Sequence, residues 1–229
     1  MATESQPRPR LSREKVLAAA VDLADRDGLE GVTMRNLASE LGVEAMSLYY
    51  HLANKEELLD GMVELVMGEI NRSVESVVAD SPAEWKSTMR ERILTARRVM
   101  LAHPWAPTLF ETRATMTPPV IAYFDTTLGL LLEGGFSYDL AHHSMHALGS
   151  RALGFTQELF QPGSDEAEEA SVEMLEAMAA QFPHLTGMIA AVAHDEPDAT
   201  LGWCDDQSEF EFGLDLLLDG LDRLAAESG

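Results

Sequence analysis

The sequence contains little of what several protein classes require. It has one cysteine, Cys204, among 229 residues, so no disulfide forms within the chain and a reducing compartment fits. No stretch approaches the roughly 20 uninterrupted apolar residues that a membrane-spanning helix needs. The first ten residues, MATESQPRPR, lack the apolar segment of a secretory signal. We therefore expect a cytoplasmic protein without a membrane anchor.

Signatures of common enzyme classes are missing as well. There is no glycine-rich phosphate loop, no GxSxG, no HExxH and no pair of cysteine ligands. His142 and His146 lie four residues apart and could share a metal ion, but with His143 they form the only histidine cluster, and no third ligand is evident. We expect no enzymatic activity, no cofactor and no metal, and interpret the histidines as a polar interface or a solvated surface.

Basic residues are scarce. Lysine and arginine total 16 against 39 aspartates and glutamates, a formal net charge of −23, whereas nucleic-acid-binding proteins usually carry a basic face. The acidic excess is greatest after residue 60, and Arg8, Arg10, Arg13 and Lys15 make the first 15 residues locally basic. Because phosphate contacts are local and are screened beyond about 10 Å, this distribution permits DNA binding and predicts weak affinity for random DNA.

What the chain does contain is a succession of helical patterns. Helix-forming residues dominate, apolar residues recur at helical spacing, and alternating β-branched runs are missing, which predicts an all-α protein of about nine or ten helices. Ser12, Thr33, Asn54, Ser81 and Ser208 are predicted N-caps. Predicted ends include Gly28, Gly42, His103-Pro104 and Gly134-Gly135, and a long helix is expected from Ser137 to about Phe160. Residues 165–179 are predicted to contain a further helix, and 183–206 a long loop with at most one short helix.

Two short helices, Met34–Leu41 and Glu44–His51, have the dimensions of a helix-turn-helix, with Gly42 supplying the positive φ of the turn. Leu37, Ala38, Leu41, Val43 and Leu48 can form a small core, which leaves Ala45, Met46, Ser47, Tyr49 and Tyr50 facing outward. From spacing alone, a helical corner packed inside a larger protein explains the pattern equally well.

The residue identities in this segment are more specific evidence of function than the spacing of its helices. The string GVTMRNLASELGVEAMSLYYHLANKEELLD at 31–60 resembles the DNA-binding signature of the TetR family along its whole length. The resemblance implies a flexible arm at 1–11, a helix-turn-helix DNA-binding domain at 12–60, and a helical ligand-binding and dimerisation domain at 61–229. It also implies the following DNA-contacting residues: Thr33, Arg35, Ala45, Met46, Ser47, Tyr49, Tyr50, His51 and Lys55. Tetracycline repressors have Gln and Pro at the first two reading positions; Ala45 and Met46 cannot make the same hydrogen bonds, so a different operator is expected.

The C-terminal part resembles the tetracycline-repressor branch more weakly, at residues 134–137, 147–158 and 210–222. This implies a homodimer formed through the helices near 137–160 and 208–226, and a palindromic operator. The histidine that binds Mg²⁺ with tetracycline is replaced by Leu109 or Phe110, and a drug-contacting histidine by about Asn71, which argues against Mg-tetracycline as the effector. The predicted pocket for an amphipathic organic molecule comprises Met67, Asn71, Trp85, Met89, Phe110, Arg113, Phe155 and Glu158. Arg113 is the sharpest of these candidates, because a buried arginine needs an anionic ligand or partner.

We therefore expect a repressor that leaves its operator when a ligand shifts helix 4, the link between the two domains. The alternative is a helical ligand-binding or structural dimer that never contacts DNA. The acidic net charge favours this alternative, and the LYYH run argues against it.

Overall fold

A computed structural model describes residues 11–113, 116–154, 179–192 and 206–228. All regular elements in these ranges are helical, as the composition predicted, and ten are α-helices. They are α1 (Arg13–Gly31), α2 (Met34–Leu41), α3 (Ala45–Leu48), α4 (Lys55–Val74), α5 (Trp85–Ala102), α6 (Ala106–Thr112), α7 (Pro118–Glu133), α8 (Tyr138–Gly154), α9 (Pro183–Val192) and α10 (Asp206–Ser228). A 3₁₀ turn, Pro82–Glu84, precedes α5.

Three predicted N-caps are confirmed by hydrogen bonds. The side chains of Ser12, Thr33 and Asn54 each accept a bond from a backbone N–H three residues later, at 3.3, 3.1 and 2.9 Å. Each bond satisfies one of the N–H groups that the first helical turn leaves without a partner. The predicted stop at Gly28 is visible as a break, because its φ of 71° is not helical although α1 continues to Gly31.

Other boundaries differ from the prediction. Ser81 occupies the predicted N-cap position before Pro82 but accepts no capping bond; Glu84 accepts one from the N–H of Asp80, and the first turn is a 3₁₀ turn that precedes α5. The seven-residue α6 is too short for its periodicity to be recognised. The segment 183–206, predicted as a long loop with at most one short helix, begins with the ten-residue α9, whose first residue is Pro183, a residue that favours the first helical position. The last helix begins at Asp206, two residues before the expected cap Ser208. The predicted end of α8 near Phe160 and most of the helix at 165–179 lie outside the described residues.

The chain divides into two compact units, residues 1–142 and 143–229. In the first, α4 is the central helix: α1, α5, α6 and α7 all pack against it, and α2 with α3 is attached through α1. Leu58, Met62 and Val66 on α4 are almost completely buried. This arrangement makes α4 the physical connection between the helix-turn-helix segment and the helices that follow.

In the second unit, α10 buries Phe210, Leu214, Leu218 and Leu221 at helical spacing. The guanidinium of Arg151 on α8 lies 5.1 Å from the centre of the Phe210 ring and donates to the backbone oxygen of Glu209. No helix in the part of the chain that the structure describes is both long and apolar enough to cross a membrane.

Candidate nucleic-acid interface and its connection to helix α4

The turn between α2 and α3 has the geometry that the sequence predicted. Gly42 adopts a left-handed conformation with φ 63° and ψ 36°, and its N–H bonds to the carbonyls of Ala38 and Ser39 at the end of α2. The N–H of Val43 then donates to the Ala38 oxygen at 3.0 Å. Because an L side chain is disfavoured at this φ, glycine lets the chain reverse tightly into α3.

The small core beneath the turn anchors α3. Leu37 and Leu48 are completely buried, and Leu52, just after α3, is 1% exposed. Val16 and Ala20 of α1 are also fully buried. Of the predicted core, Ala38 is also buried, whereas Leu41 and Val43 are half-buried. The regular helix ends at Leu48 rather than at His51, and residues 49–51 continue as turns.

The outer edge of this segment is unusually apolar for a surface. Met46 is 72% exposed, Tyr50 88% and Tyr49 45%, although all three are large and apolar or aromatic. Ala45 and Ser47 are half-buried beside them. Such side chains fit a major groove, where a methyl or ring can contact thymine methyl groups and a phenol can reach a phosphate.

The polar candidates surround that edge. Arg35 on α2 and Lys55 at the start of α4 are exposed, while His51 is half-buried. The Thr33 hydroxyl accepts the capping bond from Asn36 and retains its own proton to donate. The structure thus places the predicted DNA-contacting residues at the starts of α2, α3 and α4 and on the turns after α3.

Ion pairs fasten the segment to its neighbours. Arg26 on α1 pairs with Glu40 on α2 at 3.1 Å, and this carboxylate is the first cause that raises the pKa of Arg26. Arg13 on α1 lies 3.4 Å from Glu64 on α4. Both pairs are partly exposed, so their role is to orient the helices more than to stabilise them.

A polar cluster around the buried side chains of His103 and Trp105 joins α1 to the segment between α5 and α6. The indole N–H of Trp105 donates to Asp25 Oδ1 at 2.6 Å, and Nδ1 of His103 lies 2.8 Å from the same oxygen. On its other side, His103 Nε2 lies 3.4 Å from Glu69 on α4. His103 and Trp105 are 8% and 7% exposed, and through them Asp25 ties α1 to the segment between α5 and α6.

A second link joins the end of α6 to the start of α4. Nε of Arg113 donates to Asp60 Oδ1 at 2.5 Å, and Nη1 donates to Glu56 Oε2 at 2.8 Å. Nη2 bonds to the backbone oxygen of Glu56 at 3.0 Å. The bond with Asp60 is the first cause that raises the pKa of Arg113, and the bond with Glu56 adds to it. The anionic partner expected for this arginine is therefore present within the chain.

The other residues of the predicted pocket are partly core. Met67, Trp85 and Met89 are buried, with Trp85 edge-on to Phe136 at 4.6 Å. Asn71 donates to the carbonyl of Pro119 at 2.8 Å and Phe110 is half-buried. Phe155 and Glu158 lie outside the described residues. Within the described ranges, no three histidine, cysteine or acidic side chains form a group that could hold a metal ion.

Sequence reasoning missed two features of this unit. The contact of Asp25 with Trp105 joins residues 80 positions apart and leaves no local pattern. Arg92 left a local signal, because it lies at helical spacing from the apolar residues Trp85, Met89 and Ala96, and it is 8% exposed.

Comparison with known proteins agrees with this architecture. Residues 16–62 match the model described as "Bacterial regulatory proteins, tetR family", and residues 79–225 match "Tetracyclin repressor-like, C-terminal domain". An HTH-type transcriptional regulator of Saccharopolyspora erythraea is 32% identical over 95% of this chain and 87% of its own length. The class C tetracycline repressor protein of Escherichia coli is 30% identical over 94% of this chain and 92% of its own.

A solved structure shares the fold over nearly the whole chain. The Streptomyces coelicolor TetR family protein ActR, in its complex with actinorhodin, superposes with a TM-score of 0.76 at 26% identity. The match covers 96% of this chain and 99% of that one.

Proposed function

Because the chain belongs to the TetR family of bacterial transcriptional regulators, we propose that it is a repressor whose operator binding is controlled by a small amphipathic organic molecule. The observation that carries the proposal is the exposed edge formed by Met46 on α3 and by Tyr49 and Tyr50 in the turn after it, held by a glycine turn and a small buried core. A structural dimer without DNA binding would have no use for that surface. The relatives named above are regulators, and the proposed role requires no catalysed reaction. Since its target is DNA, the site of action is the cytoplasm.

In the proposed complex with DNA, the predicted residues contact different parts of the duplex. Met46, with Ala45 and Ser47, contacts base edges, and Tyr49, Lys55 and the Thr33 hydroxyl contact phosphates. Arg35, Tyr50 and His51 complete the interface. The division into an arm at 1–11, a DNA-binding domain at 12–60 and a ligand-binding and dimerisation domain at 61–229 follows from these roles.

Dimerisation is supported by the second apolar face of α10. Phe212, Leu216 and Leu224 are 64%, 58% and 48% exposed, although residues two positions away, such as Phe210 and Leu214, form the buried face. A helix that is apolar on two sides is stable in water only when both sides are covered. We assign the exposed side to a second copy of the chain, with α8 completing the interface. Two-fold symmetry then requires a palindromic operator.

A bound ligand would release the protein from DNA by moving α4. Arg113 ties the end of α6 to Asp60 and Glu56 on α4, and Arg13 and Leu17 of α1 contact α4 on another side. A ligand that changes the position of α6 or of the C-terminal half of α4 therefore changes the position of the helix-turn-helix. The proposed effector differs from Mg-tetracycline, because Leu109 or Phe110 replaces the histidine that binds Mg²⁺ with this drug, and a residue at about Asn71 replaces the histidine that contacts it.

Operator selection tests the proposal. The full chain is incubated with a random duplex pool, and the bound DNA is amplified and sequenced over several rounds. The proposal expects enrichment of a palindrome with half-sites about one helical turn apart. Equal retention of all sequences, even at low salt, would contradict it.

A further inference from the structure

A cavity of about 660 Å³ opens between the C-terminal end of α4, the middle of α5 and α7. Its volume is that of a small-molecule site. The apolar part of the lining includes Val74, Val77, Ala122 and Leu130. Thr88, Thr126 and Asn71 add polar groups, and Asn71 is the one residue shared with the pocket predicted from the sequence.

The guanidinium of Arg92 lies in the wall of this cavity, and the residue is 8% exposed. Nη1 donates to the carbonyl oxygens of Val74 and Val77 at 3.3 and 3.2 Å, and Nη2 donates to Thr126 Oγ1 at 3.1 Å. These bonds use three of the five N–H groups of an arginine. Nε is buried and has no hydrogen-bond partner among the described residues.

A structural role accounts for part of this arrangement. Val74 is the last residue of α4, so Arg92 satisfies carbonyls at a helix C-terminus, where the helix dipole favours a positive charge. That role does not use Nε. Burial lowers the pKa of Arg92 below its ordinary value, and no carboxylate forms an ion pair with this guanidinium in the part of the chain that the structure describes. A buried cation without an anion is costly, and in a chain of net charge −23 it is conspicuous.

We propose that this cavity is the effector site and that it binds amphipathic organic acids, with one carboxylate or phenolate oxygen accepting hydrogen bonds from Arg92. The apolar body of the acid covers Val74, Ala122 and Leu130. The exposed carboxylates of Glu75, Asp125 and Glu133 also border the cavity, with Arg72 as the other cation, and they select against a second negative charge on the ligand. The effector role rests on the proposed function; the binding site does not.

Through the Arg92 guanidinium, a bound ligand can change the position of α4. Since Nε is shielded from solvent, the acid must draw the guanidinium toward the cavity. This movement weakens the bonds to the Val74 and Val77 carbonyls at the end of α4. Occupancy therefore perturbs the helix that carries Asp60 and Glu64 at its other end, near the helix-turn-helix.

Calorimetry on the full chain without DNA tests the site. The probes are decanoate and 2-naphthoate, each compared with its methyl ester, which keeps the apolar body and loses the charge. At least one acid should bind, and its ester should bind about ten-fold more weakly, the loss expected for a hydrogen bond to a charged group. Arg92→Gln should bind acid and ester alike.

A second variant blocks the cavity and leaves Arg92 in place. Gly129 of α7 lines the cavity, and a Cβ added there meets no atom within 4 Å. Gly129→Leu should therefore fold normally and abolish binding of the acid. The matched control is Gly187→Leu on α9, where an added Cβ also meets nothing and which does not line the cavity; its binding should equal that of the unmodified chain.

Equal affinity for acids and esters, or unchanged binding by a folded Gly129→Leu variant, would overturn the site and leave Arg92 a capping residue only. Acid binding that Gly129→Leu abolishes, combined with unchanged operator affinity, would retain the site and overturn its effector role. Failure of the proposed function is distinct, since it is an absence of sequence-specific DNA binding with no acid present.

Discussion

The guanidinium of Arg113, just after α6, lies 2.5 Å from the carboxylate of Asp60 in the second turn of α4. The Arg113 side chain is 13% exposed and that of Asp60 31%, so the ion pair is partly shielded from solvent. It joins the segment that resembles a ligand-binding domain to the helix that carries the helix-turn-helix.

Arg113→Gln should lower the free energy of unfolding by about 2 kcal/mol, because two carboxylates lose charge-assisted hydrogen bonds. Urea unfolding followed by circular dichroism measures the change. The control is Arg98→Gln, which breaks an exposed pair with Glu91 on α5 and should cost less than about 1 kcal/mol. Equal losses in the two variants would show that the Arg113 contact has no special role.

The cluster around Asp25 makes a second prediction. Trp105→Phe keeps the aromatic bulk and removes the indole donor that lies 2.6 Å from Asp25 Oδ1. The unfolding free energy should fall by about 1 kcal/mol, since the Asp25 carboxylate, whose side chain is 30% exposed, loses one hydrogen bond that water can replace, and operator affinity should fall with it because Asp25 orients α1. In an Asp25→Ala background, Trp105→Phe should lower the free energy of unfolding by much less. An unchanged cost in that background would contradict the predicted coupling.

Gly42 allows a test of the turn in isolation. A Cβ at this position meets no atom within 4 Å, so any effect of substitution comes from the left-handed backbone at φ 63°. Gly42→Ala should lower the free energy of unfolding by about 1 kcal/mol. Gly42→Asn should lower it by less, since asparagine tolerates the left-handed region of φ and ψ. Gly187→Ala, inside a helix with open space, should instead be neutral or stabilising. A neutral Gly42→Ala, measured by thermal unfolding, would contradict the turn geometry.

Lys55 and Met46 separate affinity from specificity. Both are exposed, so neither Lys55→Ala nor Met46→Ala should change stability appreciably. Lys55→Ala should weaken binding to every sequence and reduce the salt slope by about 0.9 for each phosphate that the lysine neutralises. Met46→Ala should leave that slope unchanged and alter the preferred base in the operator. Fluorescence anisotropy across salt concentrations distinguishes the two; a sequence-independent loss for Met46→Ala would contradict its role at the base edges.

If the exposed face of α10 forms the dimer interface, a charged substitution on that face should convert the dimer to a monomer. Phe212→Glu places a charge in the proposed interface, so light scattering should show the mass falling from two chains to one while helicity is retained. Phe212→Leu should remain dimeric. A dimer that survives Phe212→Glu would place the interface elsewhere.

Local features of the fold could be predicted because their signals are local. The caps Ser12, Thr33 and Asn54 bond to residues three positions away, and the positive φ of Gly42 follows from glycine between two short helical patterns. The start of α10 was misplaced because Ser208 and Glu211 have the spacing of a cap, whereas the helix begins at Asp206. A capping pattern alone does not exclude an earlier start.

The long-range contacts could not be predicted in the same way. Arg113 was identified as a buried cation in need of an anion, but its partners Asp60 and Glu56 lie more than 50 residues earlier. Their proximity depends on how α6 packs on α4, which periodicity does not encode. The burial of Arg92 could have been predicted, because its helical spacing from Trp85, Met89 and Ala96 is visible in the sequence, but its bonds to Val74, Val77 and Thr126 leave no local signal.

Selection of an operator from random duplex DNA tests the central claim most directly. The account predicts an enriched palindrome, bound more tightly than unrelated DNA by at least about a thousand-fold, with the preferred base altered by Met46→Ala. Retention of DNA without sequence preference, or no retention at low salt by the folded chain, would contradict it.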